Sequence, residues 1–209
     1  MNVETSTIRN SIFKNIDADD GLNVRGGVST ITGNIFEKNR DGLDMDLGTG
    51  LVKGNIFLDH LDDGIDLGSA GPIDIRDNII IGSGDKGVSV GEESNVIVSN
   101  NILAHNNIGL ANKDGSIAAL SGNFYRKNNI GVSVYKKNIN AADGNPVDGE
   151  SFFKDNNVDY KFGGENSTSL ELVKTYNSDQ NESDLLNQIL SPFICESCAD
   201  YSKSVRGRL

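Results

Sequence analysis

The chain has no tryptophan, two histidines, two cysteines, two methionines and three prolines among 209 residues, and only 6 % of it is aromatic. Each scarcity excludes something. A dedicated sugar-binding module stacks sugars on aromatic rings, and such rings are thin here. Two cysteines cannot supply the disulfide framework of a small secreted scaffold. Cys195 and Cys198 form a lone C-x-x-C in "FICESCADY", open to reading as a terminal staple, half a metal site or two free thiols. A redox centre would need βαβ surroundings that are absent. No apolar run approaches the ~20 residues of a membrane span. The opening "MNVETSTIRN" lacks a signal-peptide pattern and starts inside the repeat described below. This predicts an uncapped N-terminal end that meets an adjoining domain.

Cations are scarce where anions are dense. Residues 17–93 hold 16 Asp/Glu against 6 Lys/Arg, nearly all of the net charge of −11. Nucleic acid is a poor partner for such a surface, because binding it depends on neutralising phosphates. A cation, or a glycan held with the help of one, suits it better. The plain alternative is a solvated acidic face.

Glycine, by contrast, is abundant at 24 residues, and it is periodic. Gly21, Gly42, Gly64, Gly87, Gly109 and Gly131 are spaced by 21, 22, 23, 22 and 22 residues. Asn10, Asn34, Asn55, Asn78, Asn101 and Asn123 keep the same register. After each glycine come apolar, polar, apolar residues, as in Leu43, Asp44, Met45 and in Ile65, Asp66, Leu67. Period two marks a strand with one buried face. Further short strands surround each "NIF"-like element and the residues before it. Two or three strands per ~22 residues, without a helical period, predict a parallel β-helix. The asparagine column is expected to form a ladder at left-handed bends.

About six coils fill residues 1–140. Residues 141–209 are expected to hold a degenerate last coil and a C-terminal cap, including a short helix at 183–193 ("SDLLNQILSPF") that Ser183 caps and Pro192 helps end. Stacking places equivalent residues ~4.8 Å apart, so a column in sequence becomes a cluster in space. Asp41, Asp44, Asp62, Asp63, Asp66, Asp85 and Lys86 then share one patch. Like charges at that spacing repel by ~1 kcal/mol or more, which a bound cation, a raised pKa or the Lys86 ammonium must offset. Arg25, Lys113, Tyr135, Lys136 and Lys137 fall just past the same strand in their coils and line one edge. His60 opens the "HLDDGIDLGSAG" stretch beside the patch. As plain structure, Asp-Gly before a strand is ordinary turn chemistry.

The repeat resembles the right-handed β-helices of the pectin-lyase-like superfamily over about residues 5–140. "DGLDMDLGTGLVKGNIF", "DDGIDLGSA" and above all "GDKGVSVGEESNVIVSNNI" resemble secreted bacterial β-helix domains found beside spore-coat-kinase-like domains. The resemblance implies polysaccharide as partner, with a lyase or hydrolase of acidic glycans as the expected activity, and an extracellular or cell-surface location. It also implies two chemistries. The spacing of Asp62, Asp63 and Asp66 is similar to the aspartate cluster of a calcium-dependent pectate-lyase family, with Asp44 and Asp85 as further Ca²⁺ ligands and Lys86 as the base. Polygalacturonase-like hydrolases carry Asn-Thr-Asp-Gly, Asp-Asp, Gly-His-Gly and Arg-Ile-Lys on successive coils. Here "NRDGLDM", "DDGIDL", "GDKGVSVG" and "GLANKDG" stand in that order, with Lys86 in place of the histidine and Ala111 in place of the arginine. By that resemblance Asp62 is the general acid and Asp41 and Asp63 are the base. From their place at the edge of the patch, Arg25, His60, Lys113, Tyr135 and Lys136 are expected to contact substrate. A non-catalytic glycan-binding or structural module is the alternative.

Overall fold

The computed structural model describes residues 4–164, 171–173, 187 and 199–209. The chain winds as a parallel β-helix in which each coil gives one strand to each of three sheets. The first sheet runs from Thr5–Arg9 through Val28–Thr32 to Asn145–Asp148. The second runs from Ile12–Lys14 through Ile35–Glu37 to Phe152–Lys154. The third contains the glycine-led strands, from Leu22–Arg25 through Leu43–Asp46, Ile65–Gly68, Lys86–Gly91, Ile108–Lys113 and Ile130–Tyr135 to Val158–Phe162. Glu171–Val173 pairs antiparallel at its far edge. Residues 145–162 therefore add a seventh coil.

Period two does what it predicts. Leu43, Ile65, Val88, Leu110 and Val132 lie in one register column and are fully buried. The middle residue of each short strand of the second sheet also points inward: Phe13, Phe36 and Phe57 stack at centroid spacings of 5.0 and 4.6 Å.

The glycine column owes its composition to crowding rather than to left-handed backbone. A Cβ on Gly42 would sit 2.4 Å from the Gly64 carbonyl oxygen, and one on Gly109 would sit 2.5 Å from that of Gly131. The left-handed corners lie elsewhere. Asn10, Gly33, Gly54, Asp77, Asn100 and Gly122 all have positive φ between the first and second sheets.

This separates Asn10 from the ladder it was expected to join. Asn10 is the bend residue, and Ser11 holds the ladder register beside Asn34. The ladder proper is Asn34, Asn55, Asn78, Asn101 and Asn123, all fully buried. In each step the backbone N–H and the Nδ2 of one asparagine donate to the Oδ1 of the next, at 2.9 and 3.0 Å for Asn55 onto Asn78. Each Nδ2 also donates to a carbonyl of the preceding coil, such as Val52 for Asn78 at 2.9 Å.

The second sheet is apolar on both faces. Ile35, Ile56, Leu58, Ile79, Ile81, Ile102, Ala104 and Phe124 point outward yet are buried. Runs such as Ile79, Ile80, Ile81 carry the signature of a strand covered on both sides. Part of the cover is the helix α1 (Ala199–Arg208), whose Val205 is fully buried in this stripe. Arg208 grips Asp59 with both terminal nitrogens, at 2.5 and 2.7 Å. Tyr201 donates to Glu37 at 3.1 Å, and the His105 ring meets the Arg208 carbonyl at 2.8 Å. The helix thus lies along a flank instead of closing the end of the solenoid, because the outer stripe of the second sheet needs burial. The expected helix at 183–193, apart from residue 187, and the Cys195 and Cys198 pair lie outside the described residues. Among the described residues no helix is long and apolar enough to cross a membrane.

Candidate functional site

The outer face of the third sheet carries three register columns. One runs Asn23, Asp44, Asp66, Ser89, Ala111, Ser133, Lys161. A second holds the residues before the glycines: Asp20, Asp41, Asp63, Lys86, Ile108, Ile130. The third closes the strands with Arg25, Asp46, Gly68, Gly91, Lys113, Tyr135.

Asp41, Asp62 and Asp63 converge, each with a carboxylate oxygen within 4.8 Å of the other two. Asp41 and Asp63 are brought together by the stack itself: the Asp63 backbone N–H donates to Asp41 Oδ1 at 2.6 Å. Asp62 joins because it precedes Asp63 in the same bend. Burial first, then the charges of Asp63, Asp62 and Asp20, push Asp41 up to about 7, against the pull of the Asp63 N–H. Asp63, only 4 % exposed, is raised to about 6 by burial, and Lys86 holds it back from rising further.

Lys86 is 8 % exposed and doubly held. Its Nζ lies 3.3 Å from Asp63 Oδ1 and hydrogen-bonds Asp85, while its backbone N–H donates to Asp63 at 2.8 Å. Burial opposes its charge, but Asp63 and Asp85 outweigh it and raise the pKa. An ammonium so held neutralises the column; it is poorly suited to abstract a proton.

The remaining candidates divide. Asp44 accepts from Asn23 at 2.7 Å and is raised to about 6, by burial and then by Asp46, Asp20 and Asp66. It and Asp66 sit side by side in the outward column, and Asp85 is engaged with Lys86. The oxygens that meet are thus those of Asp41, Asp62 and Asp63, while Asp44, Asp66 and Asp85 stand around them. Arg25 pairs with Asp46 at 2.9 Å, at the far acidic end. Lys113 is 9 % exposed and lies over Gly91, where a Cβ would come 2.7 Å from its Cε. The Tyr135 hydroxyl feels Lys86, Asp85 and Asp63, although burial is the main cause of its raised pKa. Tyr135, Lys136 and Lys137 line a cavity with Lys161. Lys161 escaped the sequence reading because Asp159 replaces glycine in its coil. Its signal was the apolar, acidic, aromatic, basic, aromatic alternation of "VDYKF".

His60 is corrected from substrate contact to interior. It is 3 % exposed and stands in a second ladder, formed by Asn39, His60, Ser83, Asn106, Asn128 and Asn156. Its Nδ1 accepts the Asn39 N–H at 3.3 Å and its ring meets Phe57 edge-on at 6.2 Å. The imidazole imitates the neighbouring asparagines, with Nδ1 in place of Oδ1. Burial lowers its pKa to about 4. A base with a depressed folded pKa contributes stability above its unfolded value of 6.5, and loses it as pH falls towards 4. His60→Asn should therefore raise stability at pH 4–5 by about 2 kcal/mol and change little at pH 8, measured by urea unfolding.

The comparisons agree with this architecture. A family model described as "Right handed beta helix region" matches residues 1–160. No curated protein matches the chain. With seven parallel strands stacked in each of the first two sheets and a match over most of its length, the chain belongs to the right-handed β-helix family.

Proposed function

We propose that this protein hydrolyses polysaccharide on the outer face of the third sheet, with Asp41 as proton donor and Asp62 and Asp63 positioning and activating water. The carrying observation is that three carboxylates from adjacent coils meet within 4.8 Å, where burial and the neighbouring charges push Asp41 up to about 7. An acid with a pKa near the working pH is what protonation of a leaving oxygen needs, and an ionised carboxylate within reach of a water is what its activation needs. The likeness to polygalacturonase-like hydrolases supports the substrate class, with the acid moved from Asp62 to Asp41 because Asp41 sits among more carboxylates. The state of Lys86 speaks against a lyase. A secreted or cell-surface setting beside another domain would suit such an activity.

The same triad favours a second reading. Three carboxylate oxygens at this separation suit one Ca²⁺, whose ligands lie about 2.3–2.6 Å from the ion. The test is turnover on a panel of polyuronates and neutral glycans, with calcium and with a chelator. New reducing ends that survive chelation support the hydrolase. Unsaturated product that needs calcium would establish a lyase instead. Binding without either product would make the protein a glycan-binding module.

A further inference from the structure

The second ladder has one open step. Where it holds asparagine, each carboxamide makes two contacts with the preceding coil. Its Oδ1 accepts the backbone N–H of the residue before it in the column, and its Nδ2 donates to the carbonyl of the inward residue of the short second-sheet strand. Asn39 bonds Ile16 and Phe13 in this way, both at 3.1 Å. Asn106 bonds Ser83 and Ile80 at 2.9 and 3.3 Å, and Asn128 bonds Asn106 and Leu103 at 2.9 and 2.8 Å. At Ser83 a hydroxyl replaces the carboxamide, and neither contact forms. Ser83 is 2 % exposed and its Oγ has no hydrogen-bond partner. Among the described residues the His60 N–H, which the column turns toward position 83, has no acceptor. The carbonyl that the pattern assigns to this step is that of Phe57, in register with Ile80 and Leu103. We propose that one buried water molecule binds here, held by the His60 N–H, the Phe57 carbonyl and the Ser83 hydroxyl, and that it positions the bend carrying Asp62 and Asp63.

Chemistry, room and place carry it. The occupant must accept from an N–H and donate to a carbonyl. A metal cation accepts no hydrogen bond and a halide donates none. Water does both, and the Ser83 hydroxyl supplies the third bond that buried waters commonly make. The carboxamide that serine lacks has the bulk of one water, ~30 Å³ in the liquid. A buried N–H left without an acceptor is costly, so the water stabilises the step it fills. The place is directly behind the candidate site: a Cβ on Gly64, the residue after Asp63, would lie 3.1 Å from Ser83 Oγ. Elsewhere this bend meets the next coil through the Gly84 N–H on His60 O at 3.0 Å, the Asp85 N–H on Asp62 O at 2.9 Å and the Lys86 N–H on Asp63 Oδ1 at 2.8 Å. The water supplies the inner contact at His60, at the root of the bend from which Asp62 and Asp63 project. The site stands without the glycan reading, and its effect on turnover rests on that reading.

The test is oxygen-17 relaxation dispersion, which detects water molecules held inside a protein, on the natural chain and two variants. Ser83→Asn supplies a carboxamide in the water's place, so the internal-water signal should fall by the equivalent of one molecule while the melting temperature holds or rises. Ser83→Val fills the space without a polar group, so it should lose the same water and melt at a lower temperature. On the best glycan substrate Ser83→Val should lower kcat by up to about 10²-fold with KM unchanged, and Ser83→Asn should rescue kcat, a pattern that a loss of folded protein would not give. Equal internal water in the natural chain and Ser83→Asn, or a Ser83→Val variant as stable as the natural chain, would overturn the hydration site. An unchanged kcat in Ser83→Val would overturn the positioning role. If the natural chain turns over no glycan, the hydrolase reading falls, and the relaxation result still decides the water.

Discussion

Asn78→Ala should cost the fold about 3–5 kcal/mol, near the upper limit for a single substitution. Asn78 sits in mid-stack and is fully buried. Its Oδ1 accepts the backbone N–H and the Nδ2 of Asn55 at 2.9 and 3.0 Å. Its Nδ2 donates to Val52 and to Asn101 at 2.9 and 3.0 Å. Truncation leaves the Asn55 N–H without a partner where water does not reach, at about 1–3 kcal/mol, and takes one donor from the Val52 carbonyl. A cavity adds to that. Asn10→Ala is the matched control. Asn10 is exposed at a left-handed bend, so the change there should cost about 1 kcal/mol, from backbone strain alone. Urea unfolding of both variants measures the contrast. Equal, small losses would mean that the ladder does not hold the coils together.

Asp41→Asn should lower glycan turnover by about 10²–10⁴-fold, the range for losing a positioned general acid, without weakening the fold. The signs for the carboxylates run opposite to those for His60. A carboxyl raised in the folded state contributes stability that is complete below its unfolded pKa of 3.8 and is lost as pH rises through the folded value, about 7 for Asp41 and about 6 for Asp44 and Asp63. Between pH 6.5 and about 7.5 the carboxylates act alone, so stability should fall as pH rises. Between pH 4 and 6.5 His60 pulls the other way. Asparagine at position 41 keeps an acceptor for the Asp63 N–H and removes the charge. At pH 8 the variant should match or exceed the natural chain by about 1 kcal/mol, a figure discounted for the half-exposure of Asp41. A variant that loses activity only because it unfolds would contradict this.

Much of this was legible in the sequence, because a solenoid turns a repeat into geometry. The glycine register placed the third sheet, and period two named its inner and outer faces. The convergence of Asp41, Asp62 and Asp63 followed from their positions before Gly42 and Gly64. Three things were hidden. Asn10 and Asn34 look alike in a row of letters, yet a one-residue offset puts the first on a bend and the second in the ladder. His60 reads as a loop histidine until its coil is aligned on the second ladder, where Asn39, Asn106 and Asn128 hold the same place. The charge state of Lys86 is a matter of distance: adjacency to Asp85 was visible, but the grip of Asp63 from the previous coil comes from three-dimensional stacking. The flank helix escaped for a related reason. The triple isoleucine of 79–81 signals two buried faces, but nothing local says which distant segment covers the outer one.

The pH dependence of reducing-end release from the best glycan substrate tests the central claim most directly. With Asp41 as the acid, the rate should fall as pH rises through about 7, and that limb should vanish in the residual activity of Asp41→Asn. A flat rate from pH 5 to 8, or a limb that survives the substitution, would contradict the assignment of Asp41.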